Sequence, residues 1–423
     1  MSEFITPEQL RPGLYIHLDL NWVDHPFSFG SFKLKSEEQI ATVRSLGLAR
    51  VRYDPAKSDA RPLPPAPVQA IAPATPVSPA VDDAVQAAKR ERQARLKKHR
   101  ETLARVGKRF TQTAGTIRQL HQSLETRPQQ GVAETAALVD RMVSEFLGDN
   151  DVAIHAIAAR AGVQEIYQHT LNVAILSLMI ARELKLSAPE CALLGQGALY
   201  HDLGLADVPA RILRNPDPLT APERAARALH AEHGFKRAQS LRLAPEILDI
   251  VIHHHELADG SGYPHRLKGD AIAPLTRIAA LVNQYDNLCN PANGARPMTP
   301  HESLSWMFAQ QKNKFDASLM QVLIKSLGVY PPGTLVTLSN DAVCLVTAVN
   351  SHRPMRPMVV VYDARVPSHE PMVLDLAEET DLNITHALKP AQVGRDVLDY
   401  LGVRSRVSYF FDASEGAAAC PAP

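Results

Sequence analysis

The spacing of apolar residues predicts that the chain is mainly helical between about residues 131 and 328. Residues 163–184 and 189–200 are rich in Leu, Ile, Val and Ala, and residues 245–256 repeat apolar positions with a helical period. A region of roughly 200 residues is large enough to bury its own core. We therefore expect one all-helical domain here, with helical character throughout. Two capping boxes mark predicted helix starts: Ser187 with Glu190, and Thr220 with Glu223.

The pattern changes to short β-branched runs after residue 333. Val, Leu and Thr alternate or cluster in three runs, which are separated by Asn, Asp, Ser and Pro. The runs are residues 334–338, 344–349 and 358–363. Such runs are typical of strands separated by turns. We expect a small antiparallel β unit over residues 329–410, followed by a disordered tail over 411–423.

The N-terminal 56 residues predict a small α+β domain. Residues 14–18 alternate like a strand, a helix begins at Ser36 with a capping box to Gln39, and residues 49–54 form another strand. A Pro/Ala-rich stretch follows, which we interpret as a semi-rigid linker over residues 57–81.

Residues 82–126 predict a long basic helix. Ten Lys or Arg and only two Glu lie between Lys89 and Arg109. A nucleic-acid or membrane surface would need interleaved aromatic residues or a strong apolar face, which this stretch lacks. We expect a solvated stalk, through which two copies could form a homodimer, and a fragment starting near Thr126 that stays soluble and keeps any bound metal.

Composition excludes several classes of protein. Lys and Arg total 45 and Asp and Glu total 45, so the net charge is zero, unlike that of a polyelectrolyte nucleic-acid binder. The four cysteines form no CxxC pair, which argues against a zinc ribbon or disulfide scaffold and fits a reducing cytoplasm. No signal peptide and no stretch of ~18 apolar residues is present, so we predict a cytoplasmic chain with no membrane span.

The 17 histidines are numerous, and several coincide with predicted helix ends. A single buried histidine is usually a core residue, but a succession of histidines with carboxylates is the typical ligand set of a transition-metal site. The number of candidates exceeds four, which favours two or three metals sharing a carboxylate over one tetrahedral zinc. The candidates are Glu165, His169, His201, Asp202, His230 and His253 to His255.

A glycine-rich turn, HHELADGSGYP, follows the last of these histidines. Gly260 and Gly262 allow a tight turn with close backbone approach, and Tyr263 places a hydroxyl on it. On its own this is a weak signal, but its position directly after the histidines strengthens it.

These motifs together resemble the HD-GYP family, a branch of the HD metal-dependent phosphohydrolases that degrades cyclic di-GMP. The series that carries the resemblance spans about residues 160–328: Glu165, His169-Thr170, His201-Asp202-Leu203-Gly204, His230 with Gly234, His254-His255-Glu256 and Asp259 to Pro264. The N-terminal unit also resembles a small domain often found ahead of such phosphodiesterases. The resemblance implies a mainly α chain, in which an HD-type phosphohydrolase domain is flanked by the small α+β and β units.

The resemblance also implies roles for individual residues. His201 and Asp202 would be catalytic, with Asp202 as the bridging carboxylate, and two or three divalent ions, Fe or Mn, would be bound. Gly262, Tyr263 and Pro264 would bind the substrate, and Arg277 is a candidate phosphate contact or, as readily, a structural ion pair. His233 and His253 match no ligand position and are expected to pack or to support the ligands. The implied metal ligands are Glu165, His169, His201, Asp202, His230, His254, His255 and, weakly, Asn283.

Two departures from the family pattern affect the expected chemistry. Leu205 stands where the family has a lysine that contacts a phosphate, and Asn283 stands where it has its last aspartate ligand. An asparagine offers a carbonyl oxygen without the negative charge, so one metal should bind more weakly. Asp286, three residues later, would compensate if it reached the metal.

The function these observations predict is hydrolysis of the 3'-5' phosphodiester bonds of cyclic di-GMP to pGpG or GMP. The resemblance implies attack by a metal-bridging hydroxide, since metals lower the pKa of bound water from ~15.7 to near 7. Two alternatives stay open: a degenerate domain that binds cyclic di-GMP or a protein without turnover, and a phosphohydrolase for another nucleotide. Besides cyclic di-GMP, the partners to consider are a second copy of the chain and a GGDEF-type or other signalling protein, but no nucleic acid.

Overall fold

The computed structural model describes residues 3–20, 25, 27, 30–64, 79–148, 153–157, 165–213, 215, 217–292, 295–349, 353–369, 371–379, 381–403 and 406–412. The chain divides into two compact units. The first is Met1–Glu101 with Val361–Leu374, and the second is Thr102–Val360 with Asp375–Pro423. Most of the linker predicted over 57–81, and the tail beyond residue 412, lie outside the described residues.

The N-terminal part of the first unit contains a four-stranded antiparallel sheet and helix α1, as the sequence predicts. The order across the sheet is β1, β4, β2, β3. Helix α1 begins where predicted, because the Ser36 hydroxyl accepts a hydrogen bond from the Gln39 N–H at 3.2 Å. The elements are β1 (Glu3–Ile5), β2 (Tyr15–His17), β3 (Ser31–Lys33), α1 (Glu37–Ser45) and β4 (Val51–Tyr53).

The second unit is built mainly of helices around one large apolar core. Helices α4 and α5 lie at its centre, and most of their Leu, Ile, Val and Ala side chains are almost fully buried. The two predicted capping boxes are present at α5 and α7. The helices are α2 (Pro79–Thr126), α3 (Pro128–Gly148), α4 (Glu165–Glu183), α5 (Ala188–Tyr200), α6 (Ala210–Leu213), α7 (Ala221–Ala228), α8 (His230–Ser240), α9 (Pro245–His253), α10 (Pro274–Cys289), α11 (Pro300–Gln310), α12 (Ala317–Leu327) and α13 (Arg395–Leu401).

Helix α2 differs from the solvated stalk that its charge pattern predicts. Its C-terminal part packs an apolar stripe against the main core. Within this stripe, Phe110 and Ile117 are each only 1% exposed. The other buried members of the stripe are Val106, Ala114, Leu120 and Leu124. These positions recur every three or four residues, which is an amphipathic pattern beyond the basic run. The expectation of a stalk without an apolar face is therefore wrong for residues 102–126, and a fragment starting near Thr126 would lose part of the core.

A strand interrupts the region that the sequence predicts to be helical throughout, and that expectation is wrong at this point. Strand β5 (Ala153–Ile157) joins the C-terminal sheet, in which β10, β6, β7, β5 and β11 are neighbours in that order. Its antiparallel partner β11 pairs Tyr409 with Ala156. The remaining strands are β6 (Leu335–Leu338), β7 (Val343–Val349), β8 (Met358–Val361), β9 (Met372–Asp375), β10 (Ile384–Leu388) and β11 (Ser408–Asp412). Because the partners of β5 are distant in sequence, local periodicity gives little sign of it.

Within the described part of the chain, no helix combines the length and the apolar character that a membrane crossing requires.

Candidate metal centre

Five imidazoles and one carboxylate converge where α4, α5, α8 and α9 meet. They form two groups, and within each group the potential ligand atoms lie within 4.8 Å of one another. One group is His169, His201 and Asp202, and the other is His230, His254 and His255. Six of the predicted metal ligands are thus brought together, although they come from four separate stretches of the chain.

Asp202 lies between the two groups. Its Oδ2 atom is 3.3 Å from Nε2 of His201 and 3.7 Å from Nε2 of His169. Its Oδ1 atom is 3.4 Å from Nε2 of His230 and 3.8 Å from Nε2 of His254. Each carboxylate oxygen therefore faces a different group, which is the geometry of a carboxylate that bridges two metal ions.

The other ring nitrogen of each of three histidines is fixed by the backbone. Nδ1 of His201 lies 2.7 Å from the Ala198 carbonyl oxygen, and Nδ1 of His230 lies 2.7 Å from the Arg227 carbonyl oxygen. Nδ1 of His254 lies 2.9 Å from the Val251 carbonyl oxygen, one helical turn earlier. A carbonyl oxygen only accepts, so Nδ1 carries the proton and Nε2 is left with a lone pair.

The lone pairs of His230 and His254 face each other across the site, and that of His201 faces the ring of His169. Nε2 of His201 is 3.2 Å from Nε2 of His169, and Nε2 of His230 is 3.2 Å from Nε2 of His254. Two unprotonated nitrogens at that distance repel unless a cation lies between them, and neutral imidazole is a common ligand of divalent metals. The donor set therefore fits two metal ions that share Asp202.

Burial keeps the ligands in the protonation states that metal binding needs. It lowers the pKa of His230, and it lowers the pKa values of His254 and His255 well below the usual value, with neighbouring imidazoles adding to the effect for the latter two. Burial alone would raise the pKa of Asp202, but the imidazoles around it, His201 first, hold that pKa well below its usual value. Neutral imidazoles around an ionised carboxylate form an electron-rich pocket for cations.

Close backbone packing brings His230 to Asp202. The turn after Asp202 lies directly against the start of α8, so a Cβ atom on Gly204 would overlap the backbone of His230 and Gly234. Only glycine permits this approach. In the HD-x-Gly sequence, the glycine is therefore needed for packing, while the His and Asp supply potential ligand atoms.

The predicted glycine-rich turn folds back over the second group. The Tyr263 ring stacks on His255 with a centroid distance of 4.6 Å and an interplanar angle of 20°. Pro264 follows through a cis peptide bond. A Cβ atom on Gly262 would overlap the backbone of Glu256, so the turn closes this tightly only with glycine. Burial raises the pKa of Tyr263, so its hydroxyl stays a hydrogen-bond donor.

Glu256 holds this turn, a role that the sequence analysis did not assign. The side chain is 1% exposed, and its two oxygens accept hydrogen bonds from the N–H groups of His265 at 2.6 Å and Leu267 at 2.9 Å. The two bonds tie the far side of the turn to the end of α9. Its place directly after the His254-His255 pair was the available signal.

Asp286 supports His169 from behind. Its Oδ2 atom lies 2.7 Å from Nδ1 of His169, on the ring edge opposite the ligand nitrogen. Burial lowers the pKa of His169, but Asp286, then Asp202 and then Asn283 together outweigh burial, and the net pKa is raised. Asp286 therefore orients a ligand, and the suggestion that it replaces the missing carboxylate at the metal is not supported. Asn283 is 3% exposed and accepts a hydrogen bond from Asn287.

Other predicted site residues lie apart from the two groups. Arg277 pairs with Asp270 at 3.0 Å and Asp316 at 3.3 Å, which favours the structural ion pair over a phosphate contact. His253 contacts Asp249 and His265, as expected of a supporting residue. The Glu165 side chain lies outside the described part of the structure.

A cavity of about 310 Å³ opens beside Asp202. Its wall includes Leu205, which is buried, together with Tyr167, Arg237 and, from the end of α2, His121. The position of the lost lysine thus borders a space next to the bridging carboxylate, and an apolar side chain occupies it.

Three family models match the chain. A domain of unknown function, DUF3391, matches residues 3–135, and an HD domain matches residues 141–319. A KOW domain associated with HD domains matches residues 335–395.

Two curated relatives show different extents of similarity. A protein of Pseudomonas aeruginosa named as a cyclic di-GMP phosphodiesterase is 26% identical over 98% of this chain and 100% of its own length. A Vibrio cholerae protein named as 3'3'-cGAMP-specific phosphodiesterase 2 is 31% identical over 40% of this chain and 33% of its own length. The chain therefore spans the full length of the first relative but only a third of the second.

Among solved structures, an HDG"Y"P protein of Bdellovibrio bacteriovorus matches with a TM-score of 0.43 and 14% identity, over 76% of this chain and 98% of that one. The sequence matches and the metal-type residues at the helix ends lead to one conclusion. The chain contains an HD domain, with a DUF3391 domain ahead of it and a KOW domain after it, and its histidine and glycine motifs resemble those of the HD-GYP family.

Proposed function

We propose that this protein is a metal-dependent phosphodiesterase that hydrolyses cyclic di-GMP. One observation carries the proposal: Nε2 atoms of four imidazoles face the two oxygens of the Asp202 carboxylate, and each oxygen faces its own group. The name of the full-length relative from Pseudomonas aeruginosa supports cyclic di-GMP as the substrate.

Each group of ligands would hold one ion. His169 and His201 would bind the first with Oδ2 of Asp202, and His230, His254 and His255 would bind the second with Oδ1. When bound, such ions lower the pKa of water and stabilise negative charge on a phosphate. We propose Fe or Mn, and two ions on the described ligands, with any third depending on Glu165.

The remaining residues would position the substrate. Tyr263 is held against His255 beside the second group, and its protonated hydroxyl can donate to a phosphate oxygen. The cavity beside Asp202 would take the adjoining part of the dinucleotide. Leu205 in its wall contributes contact area but no positive charge, so substrate affinity would rest on the metals and the turn.

The products would be linear pGpG and, after a second cleavage, GMP. We further propose that the protein acts in the cytoplasm. A homodimer through residues 82–126 and a GGDEF-type or other signalling partner remain predictions.

A second candidate function is binding of cyclic di-GMP without turnover. It is favoured by Leu205 and Asn283, which remove one positive charge and one negative charge from the family pattern. Against it, a binding module has no chemical need for five converging imidazoles around a carboxylate.

The test is turnover of cyclic di-GMP by the purified full chain, loaded anaerobically with Fe²⁺ or Mn²⁺. We expect release of pGpG or GMP that EDTA abolishes and the metal restores. Saturable binding without any product would establish the receptor function instead. Hydrolysis of 3'3'-cGAMP but not of cyclic di-GMP would support the phosphodiesterase activity and show that the proposed substrate is wrong.

A further inference from the structure

The support of His169 extends well beyond Asp286. The Asp286 carboxylate is fully buried, and it receives three contacts. Its Oδ2 atom faces Nδ1 of His169 at 2.7 Å, while Oδ1 accepts from Nδ2 of Asn172 at 2.8 Å and Nδ2 of Asn290 at 2.9 Å. A buried carboxylate needs such donors, since an unpaired one is strongly destabilising.

The two asparagines bridge this carboxylate to the backbone just before and within β11. The Asn172 amide oxygen accepts from the Tyr409 N–H at 3.0 Å, and the Asn290 oxygen accepts from the Val407 N–H at 2.9 Å. Both amide nitrogens also donate to the Val407 carbonyl oxygen, at 3.1 and 2.8 Å.

Those backbone contacts fix the orientation of both amides. Because each Oδ1 atom must face a backbone N–H, each Nδ2 atom is directed to Asp286. Asn172 is 1% exposed and Asn290 is 7% exposed, so water offers little alternative.

Strand β11 is itself held firmly. It pairs along its length with β5, from Ser408 opposite Ile157 to Asp412 opposite Ala153. The Tyr409 hydroxyl lies 2.9 Å from that of Tyr285 on α10, and both side chains are fully buried. The strand is therefore a fixed reference against which Asp286 and His169 are placed.

We propose that Asn172 and Asn290 are positioning residues for the metal centre, which couple strand β11 to the ligand His169. They touch neither metal nor substrate, and act through Asp286 on the ring orientation and proton position of His169. The proposal rests on the metal sites of the proposed function but not on the identity of the substrate. Partners behind a ligating histidine typically change metal affinity about 10- to 100-fold when they are removed.

The test measures metal binding by the full chain rather than hydrolysis. Wild type, Asn172→Ala and Asn290→Ala are stripped with a chelator and titrated with Mn²⁺, with circular dichroism to confirm folding. We expect the site at His169 to bind about 10- to 100-fold more weakly while the site at His230 is unchanged.

The matched control is Thr135→Ala, which removes another buried hydrogen bond of the helical core, to the Gly131 carbonyl oxygen. It should lower stability without weakening either metal site. Asn290→Ser, whose side chain is too short to bridge, serves if the alanine variants do not fold. The proposal is overturned if the asparagine variants bind Mn²⁺ at both sites as tightly as the control does. It is also overturned if the wild type binds no Mn²⁺. Wild-type hydrolysis of cyclic di-GMP is assayed separately, so a wrong substrate leaves this result intact.

Discussion

At the scale of single residues, the position of one proton decides what the histidines can do. His201, His230 and His254 each present Nδ1 to a backbone carbonyl oxygen of the preceding turn. The helix end thereby fixes the tautomer, and Nε2 is available to a metal without any further group. Nδ1 of His169 instead faces a carboxylate oxygen, Oδ2 of Asp286.

Removal of the central ligands should abolish metal binding and hydrolysis together. In His201→Ala and Asp202→Ala we expect metal content and turnover to fall to the level of chelator-treated protein, because Asp202 serves both groups. Metal analysis and a cyclic di-GMP assay measure the two effects. His253→Ala is the control, since that histidine contacts Asp249 and His265 outside the groups. Wild-type metal content in either ligand variant would contradict the assignment of the site.

Restoring a carboxylate at position 283 should strengthen one metal site. A new negative charge a few ångströms from a divalent ion is worth several kcal/mol at an effective dielectric constant of ~20. We expect the Mn²⁺ Kd of Asn283→Asp to fall at least about tenfold at the site near His169. Gln284→Glu adds the same charge on another face of α10 and should leave that Kd unchanged. Equal effects of the two variants would show that Asn283 does not face the metal.

The sequence alone identifies the ligands better than their supports. The histidines at 201, 230, 254 and 255 are recognisable because each ends or begins a predicted helix. Asn172 and Asn290 are inconspicuous, since an asparagine within or just after a helix has many ordinary uses. Their shared backbone partner Val407, just before β11, is 235 and 117 residues away, so no local pattern connects them.

At the scale of secondary structure, elements with a clear local pattern agree with the sequence prediction, and β5, which has none, does not. The Ser36 cap of α1 and the capping boxes of α5 and α7 are decided within four residues and are present. Strand β5 exists only through pairing with β7 and β11, and it was predicted as helix. The apolar stripe of α2 was overlooked because the charge run before it dominates the composition.

The core role of α2 predicts a large loss of stability on truncation of one side chain. Phe110 is 1% exposed within the helical core, so Phe110→Ala should lower the free energy of unfolding by about 3–5 kcal/mol. Gln112→Ala, two residues along on the exposed side, should change it by less than about 0.5 kcal/mol. Urea unfolding monitored by circular dichroism measures both. If both variants lowered the free energy of unfolding by the same small amount, the interpretation of this segment as a solvated stalk would be restored.

At the scale of the whole molecule, the charge is balanced although one segment is strongly basic. The net charge is zero, and the basic run between Lys89 and Arg109 includes an ion pair of Arg95 with Glu91 at 3.3 Å. Neighbouring charges of both signs reduce the attraction to a phosphate backbone.

We therefore expect no specific or tight binding of DNA or RNA by the full chain. Titrations with labelled duplex DNA and RNA between ~50 and ~200 mM salt should show little binding at either concentration. A protein that neutralises several phosphates instead loses affinity steeply over this range. A steep salt dependence, abolished by replacing Lys97 and Lys98 with Gln, would show that the basic helix binds nucleic acid.

The pairing of β5 with β11 also has a consequence for the order of events during synthesis. The ligand-bearing helices α4 to α9 leave the ribosome long before residues 406–412, which complete the support behind His169. Domains generally begin to fold from the N-terminal side as they emerge. The nascent helical region would thus have its histidines in place while one ligand is still unsupported, so full metal loading at that position would wait until β11 has emerged and paired with β5.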